Sequence, residues 1–338
     1  MDGATLKVLK GALIGCGFFS QHHQAAWSRI PNAEIVAACD LSIDRARAAA
    51  PRAYTSVEEM LKVEELDFVD IATRSTTHLE LVSMAAKRGL AIICQKPMAP
   101  DWETARRMVE IAEIYSVRVM IHDNWRWQSW YRAAETFIAL GDIGTPLAYG
   151  FRTRVSHGAG DEPYPKQAYF RQLQRFMIDE VLVHHIDTAR FLFGDIVSVY
   201  AEGARRNPHI VGEDHVILTL RHADRAMGSV EGHSFMKHDN TQSTLDEATF
   251  EGDAGSIRIN SLGEIWSGDE RIWRDSGVGY RGDSVCATQL HFIDCLQSGR
   301  PFETGARDYL EKTFAVVEAA YSSMASHRAV EIAEILQR

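Results

Sequence analysis

Along residues 1–123, short apolar runs alternate with longer segments whose apolar positions recur every three or four residues. The start of "LKGALIGCGFFSQHHQAAWSRI" and the runs "AEIVAACD", "LDFVDIAT", "LAIICQ" and "VRVMIHD" have the pattern of strands buried in a parallel sheet. Between them, "SIDRARAAA", "HLELVSMAAKRG" and "DWETARRMVEIAEIYS" have helical spacing, the second closed by Gly89 and the third with Asp101 near its start. Strand and helix in turn predict an α/β fold with a doubly wound parallel sheet. After "YRAAETFIALGDIGTP", read as a helix that stops at Gly141, the rhythm changes. The segments "LAYGFRTRVS", "VSVYAEGARR", "DHVILTLRH", "AMGSVEGHS", "TFEGDAGSIRIN" and "EIWSG" follow one another through short turns, which predicts a large, mainly antiparallel sheet in an α+β domain. One face should cover the first domain and the other stay free for partner subunits. The expected division is 1–123 and 124–338.

Composition agrees with two domains of ordinary size: 338 residues, 46% hydrophobic and 24% charged. A formal net charge of -10 argues against nucleic acid or an anionic membrane as partner, since both reward a basic face. Five scattered cysteines with no C-x-x-C pair suggest reduced core thiols, with no zinc site or disulfide frame. "MDGATLKVLK" has no targeting pattern, and no stretch nears the roughly 18 apolar residues of a membrane span. The expectation is a cytoplasmic protein acting on a small molecule.

Chemistry enters with G-x-G-x-x-S at the first strand's end. Gly15 makes the turn, Gly17 lets a pyrophosphate approach the backbone at the positive helix end, and Ser20 replaces a third glycine. Alone, this also fits an ordinary turn. The next strand, however, ends in Asp40, near the distance expected of the carboxylate that binds adenosine ribose hydroxyls. Asp40 would repel a 2'-phosphate, which favours NAD while leaving some tolerance for NADP; it also reads as a helix N-cap. Ligands of such sheets bind beyond the carboxyl ends of the strands, where Asp40, Thr73, Lys96 and the stretch His122 to Arg126 fall. A lysine ending a buried strand either reaches solvent or has a task.

"GCGFFS", "TRSTTH" followed by a helix and "GLAIICQKP", then "DEVLVHHIDTARFLFG" and the closing "VEAAYSSMASHRAVEI", resemble successive signatures of the Gfo/Idh/MocA family over essentially the whole chain. These are dehydrogenases related to glucose-fructose oxidoreductase and inositol dehydrogenase. "GALIGCGFF", "ICQKPMAP" and "NPHIVGED" are most similar to its D-apiose dehydrogenase branch. The resemblance implies a Rossmann domain binding NAD through Gly15, Gly17, Phe18, Phe19, Asp40, Thr73, Ser75, His78, Gln95 and Lys96. It puts Lys96 beside the reacting carbon. The family's usual Glu-Lys-Pro is Gln-Lys-Pro here, so no carboxylate adjoins the lysine, an arrangement suited to proton transfer near neutral pH. Pro97 would fix the backbone, with a cis bond as one form. Asn124 and Arg126 match an Asn-x-Arg pattern near the substrate. Family members commonly form homodimers or homotetramers.

Within "MIDEVLVHHIDTARFLFGD", Glu180 and His184 are four apart and share a helix face, so the carboxylate can fix the imidazole tautomer. The resemblance places them on the family's Asp-x-x-x-His pair. With glutamate there, Asp179 and Asp187 also compete to orient the ring. The alternatives are a satisfied core histidine, or a metal set of His184 with His185 and Asp187, although that spacing fits no standard motif. His22 and His23 read as helix-surface residues. Arg152 and Arg154 share a strand face, which suits gripping a carboxylate or polyol or simple solvation; Arg154 is the substrate candidate. "PYPKQAYFRQLQRF" reads as a covering loop with aromatics for a sugar.

The expected function is an NAD-dependent dehydrogenase of a sugar or polyol, most favourably at the anomeric carbon of an aldose. Lys96, His184 and Glu180 are its expected catalytic groups, with His184 as base and Lys96 polarising the oxygen, or the reverse. Lys96, Asn124, Arg126, Arg154 and His184 are the expected substrate contacts. Transient redox use of NAD, as in an epimerase or glycosidase, and a non-catalytic dinucleotide or sugar sensor are the alternatives.

Overall fold

The structure, a computed structural model, describes residues 7–236 and 244–338; the reading of the first six residues lies outside them. Contacts divide the chain into two compact units, residues up to Asn124 with Asp283–Leu310, and Trp125–Gly282 with Glu311–Arg338.

In the first unit β1 (Leu9–Ile14), β2 (Ala33–Cys39), β3 (Arg52–Tyr54), β4 (Phe68–Ile71), β5 (Ala91–Gln95) and β6 (Val119–His122) form one sheet in the order β3-β2-β1-β4-β5-β6. Every pairing is parallel, as the two-sided apolar runs require. The helices α1 (Ser20–Trp27), α2 (Ile43–Ala49), α3 (Val57–Val63), α4 (His78–Ala86) and α5 (Trp102–Ile114) connect the strands. In α5 the side chain of Asp101 accepts the Thr104 N–H at 2.8 Å, while Ala105, Met108, Val109 and Ala112 form its buried stripe. Losing that cap would cost about 1 kcal/mol.

The sequence reading kept residues 124–338 together, whereas Asp283–Leu310 packs with the first unit. Side chains explain the return. Phe292 meets Phe68 of β4 at 5.5 Å and Phe302 at 5.3 Å between ring centroids, and the Thr304 hydroxyl donates to the Ile121 carbonyl at 2.6 Å. An apolar helix face is visible in a sequence; the sheet it covers is not.

The second unit begins with α6 (Ser129–Leu140) and holds β7 (Pro146–Val155), β8 (Ile196–Ala204), β9 (His215–His222), β10 (Met227–His233), β11 (Thr244–Gly252), β12 (Ser256–Ile259), β13 (Ile265–Ser267), β14 (Glu270–Trp273) and β15 (Val330–Glu331). Their order is β14-β13-β12-β11-β7-β10-β9-β8-β15. All pairs are antiparallel except β7 with β10. Strict alternation along β9 gives the sheet two unlike faces. On the buried face, Tyr149 stacks on Phe193 at 4.5 Å, Phe151 meets His185 at 5.5 Å and Phe250 meets Phe193 at 5.4 Å, so α7 (Val183–Phe193) lies there. Tyr200, Ile217 and Met227 are exposed. The chain enters α7 through a π turn, Met177–Leu182, and leaves it at Gly194. Among the described residues, no helix is long and apolar enough to cross a membrane.

Candidate active site

In the first unit, β1 ends at Gly15, whose φ of 93° lies in the left-handed region open to glycine. A Cβ there would sit 2.7 Å from Thr73 Cγ2 and 2.9 Å from the Ala72 carbonyl oxygen. Gly17 is exposed, with nothing within 4 Å of where its Cβ would be, so open space adjoins the backbone just before α1. The Ser20 hydroxyl donates to the Gly17 carbonyl at 2.7 Å, tying the turn to the helix. Phe18 is exposed and Phe19 half-buried. This surface fits a pyrophosphate at a helix start.

Asp40, at the end of β2, accepts the Cys16 N–H on Oδ2 and the Ser42 N–H on Oδ1, both at 2.8 Å. Arg45 also donates to Oδ1, at 2.6 and 3.0 Å. Burial pushes the carboxyl's pKa up, but the hydrogen bonds from Arg45, Ser42 and Cys16 hold it below the ordinary value. Oδ2 keeps a lone pair for a ribose hydroxyl. Ser42, not Asp40, occupies the N-cap position of α2. NAD therefore fits this half-site: Gly15 to Phe19 would hold its pyrophosphate and Asp40 its ribose.

Thr73 and Ser75 are half-buried beyond β4. His78 is fully buried, with Nδ1 3.1 Å from the Met98 carbonyl and Nε2 3.2 Å from that of Thr73. It joins the loop after β4 to the loop after β5 and offers no surface to a ligand. Lys96 is half-buried at the end of β5, and its bond to Pro97 is cis. Gln95 is buried, and its Oε1 accepts the Lys96 N–H at 2.8 Å. Asn124 is also buried and donates to the Ser284 hydroxyl at 2.7 Å.

His23 corrects the sequence reading: it is fully buried, with Nδ1 2.7 Å from Asp70 Oδ2 and Nε2 3.0 Å from Gln95 Nε2. Three residues beyond Ser20, it falls on the helix stripe that faces the sheet; a polar residue on such a stripe, paired with the aspartate inside "LDFVDIAT", was the available signal.

In the second unit the π turn and α7 carry Glu180, half-buried, and His184, buried with 6% exposure. His184 stacks on the Trp125 indole at 4.7 Å with ring planes 3° apart. Arg281 lies over the same indole at 4.3 Å and pairs with Asp246, whose carboxyl is held well below the ordinary carboxylate range by Arg281 and His185 against the effect of burial. His185 meets Trp125 edge-on at 4.7 Å. Arg281 and Asp246 were not found from the sequence. An arginine in the glycine-rich stretch "SGVGYRGD" carries no periodic signal.

The competing acids have other tasks. Asp187 pairs with buried Arg126 through two 2.7 Å contacts and accepts from Thr313 at 3.0 Å, so it belongs to an ion pair and not to a metal set with His184 and His185. Asp179 lies 3.6 Å from Arg175, and burial pushes its carboxyl up to about 7. Arg154 pairs with Glu231 at 3.2 Å on the face opposite the buried Phe151 and Thr153, away from α7. The structure thus brings Trp125, Arg126, Glu180 and His184 onto neighbouring elements and sets Arg154 apart. Tyr164, Phe170 and Phe176 of the expected covering loop are buried in a cluster with Ile210 and cannot stack on a sugar.

The family model described as "Oxidoreductase family, NAD-binding Rossmann fold" matches residues 9–122, and the "GFO/IDH/MocA C-terminal domain" matches residues 131–258. A D-apiose dehydrogenase of Paraburkholderia graminis is 38% identical, covering 97% of this chain and 91% of its own. Another, from Rhizobium rhizogenes, is 34% identical over 97% and 99%. An oxidoreductase from Agrobacterium radiobacter, solved with NAD+, L-tartaric acid and magnesium, superposes with a TM-score of 0.87 at 34% identity, over 97% of this chain and 100% of that one.

Proposed function

Because the chain belongs to the Gfo/Idh/MocA family of oxidoreductases and takes NAD as its cofactor, we propose that it oxidises a hydroxyl group of a sugar or polyol, most favourably the anomeric carbon of an aldose such as D-apiose. The observation that carries the substrate is the 38% identity with a D-apiose dehydrogenase over 97% of this chain.

When bound, NAD supplies the hydride acceptor. The chain supplies the rest. His184 takes the hydroxyl proton on an imidazole nitrogen, and the stacked Trp125 fixes the plane of that ring. Glu180, in the turn before α7, steadies the positive charge that develops there. Glu180 has this role by its place on the family's Asp-x-x-x-His pair, while Asp187 pairs with Arg126 and Asp179 lies beside Arg175. Lys96 polarises the substrate oxygen through its ammonium group.

The same reading makes the protein a cytoplasmic homodimer or homotetramer. Tyr200, Ile217 and Met227, exposed on the second unit's sheet, support association through that surface. The test of the chemistry is a pair of substitutions. Lys96→Ala and His184→Ala should each cut turnover at least a hundredfold, about 10²–10⁴ being typical of acid–base groups, and far more than calorimetry shows NAD binding weakened. Equal losses in turnover and in NAD affinity would contradict these roles.

A further inference from the structure

The buried row beneath Lys96 has a direction fixed by hydrogen-bond logic. Gln95 Oε1 accepts the Lys96 N–H at 2.8 Å, so the other end of the amide is its NH2 group, 3.0 Å from His23 Nε2. Turning the amide over would set two donors against each other at Lys96. An amide NH2 only donates, and His23 Nε2 must therefore be bare and accept. The ring proton then sits on Nδ1, which donates to Asp70 Oδ2 at 2.7 Å. Trp27 Nε1 donates to the same oxygen at 2.7 Å. His23 and Asp70 have 0% exposure and Gln95 has 7%, so water has little access to substitute for a lost partner.

We propose that His23 is a positioning residue: held as its Nδ1–H tautomer by Asp70, it orients Gln95 and, through Gln95, the peptide that carries Lys96. This rests on the reading that Lys96 acts on the substrate hydroxyl. The row runs in one sense, from the Lys96 N–H to Gln95, from Gln95 to His23 and from His23 to Asp70, each donor meeting one acceptor. It spans β5, α1 and β4, so three elements converge to hold one backbone amide.

A carboxylate at position 95 would break this sense. Its second oxygen would face the bare Nε2, acceptor against acceptor, until His23 gained a second proton and became an imidazolium between two carboxylates. The groups facing the ring are Asp70 from β4, residue 95 from β5, His122 from β6, stacked at 4.3 Å, and His22 and Phe19 at the start of α1. Burial, with His23 nearby, pushes His122 down to about 3, so it does not compete for that proton.

The direct test is nitrogen NMR of the full-length enzyme labelled with 15N-histidine, which needs no variant to fold. Wild type should show His23 protonated on Nδ1 and bare on Nε2, and Gln95→Glu should show both nitrogens protonated. A wild-type Nε2–H tautomer or imidazolium would overturn the proposal. In turnover, His23→Phe and Gln95→Glu should each lower kcat roughly tenfold to a hundredfold, and His23→Phe should leave the NAD dissociation constant unchanged by calorimetry. The double variant should cost no more than the worse single one, because both interrupt one row. Additive losses would mean that His23 acts by packing alone. The two readings fail separately: full turnover in Lys96→Ala removes the role of the lysine and leaves the tautomer result standing, whereas the wrong tautomer removes only the role of His23.

Discussion

Replacing Arg126 by methionine separates two readings of one residue. Its side chain is 5% exposed and that of Asp187 0%. Nε and Nη2 reach the two carboxylate oxygens at 2.7 Å each, and Thr313 adds a hydroxyl donor at 3.0 Å. Methionine keeps the apolar stem and removes the charge, leaving Asp187 buried without its cation. Breaking a buried pair in this way costs about 3–5 kcal/mol. At about 2–4 °C per kcal/mol for a unit of this size, the melting temperature should fall by roughly 6–20 °C. Arg126→Met with Asp187→Leu removes both charges and should recover most of that loss. Thermal unfolding followed by circular dichroism, with kcat and KM measured below both transitions, reads the outcome. An unchanged melting temperature with a raised KM for the sugar would refute the structural assignment and restore Arg126 as the substrate contact expected from its sequence pattern.

Three further outcomes follow from named contacts. Gly15→Ala puts a Cβ 2.7 Å from Thr73 Cγ2 at a φ of 93°, and at about 1–2 kcal/mol of strain NAD should bind roughly tenfold more weakly by calorimetry, whereas unchanged affinity would mean that the turn does not shape the cofactor surface. Asp40→Ser removes the carboxylate and leaves Arg45 unpaired beside the ribose position, so the ratio of kcat/KM for NADP over NAD should rise at least about tenfold, and a ratio that stays put would deny Asp40 its selective role. Asp179 is raised by burial to about 7, above its unfolded value of about 3.9, so the stability it contributes is full below about pH 4 and is lost as pH rises through about 7. Asp179→Asn mimics the protonated form and should flatten the fall in melting temperature between about pH 5 and about pH 8; parallel profiles would show that Asp179 is ionised throughout.

Much of the first unit could be read from the chain, because its signals are local. Two-sided apolar runs, helix spacing and the glycine turn at Gly15 each depend on a few neighbouring residues, and the six parallel strands include every one expected there. The short edge strand Arg52–Tyr54 was missed for want of length. What escaped depends on distant partners. His23 looks like a surface residue until Asp70 and Gln95 are brought to it, and the sheet that Phe292 covers shows only once Phe68 is beside it. Arg126 was singled out by an Asn-x-Arg pattern and Arg154 by its strand face, and neither local signal shows the pairs they make with Asp187 and Glu231. The Trp125 stack on His184 likewise joins residues 59 apart in sequence.

The central claim is oxidation of a sugar hydroxyl with net reduction of NAD. The measurement that tests it is NADH formation by the purified protein with D-apiose, set beside other aldoses, inositols and uronic acids and beside NADP. The account predicts steady NADH production with one aldose, D-apiose foremost, and its loss in Lys96→Ala. Tight NAD binding with no NADH from any sugar would contradict it.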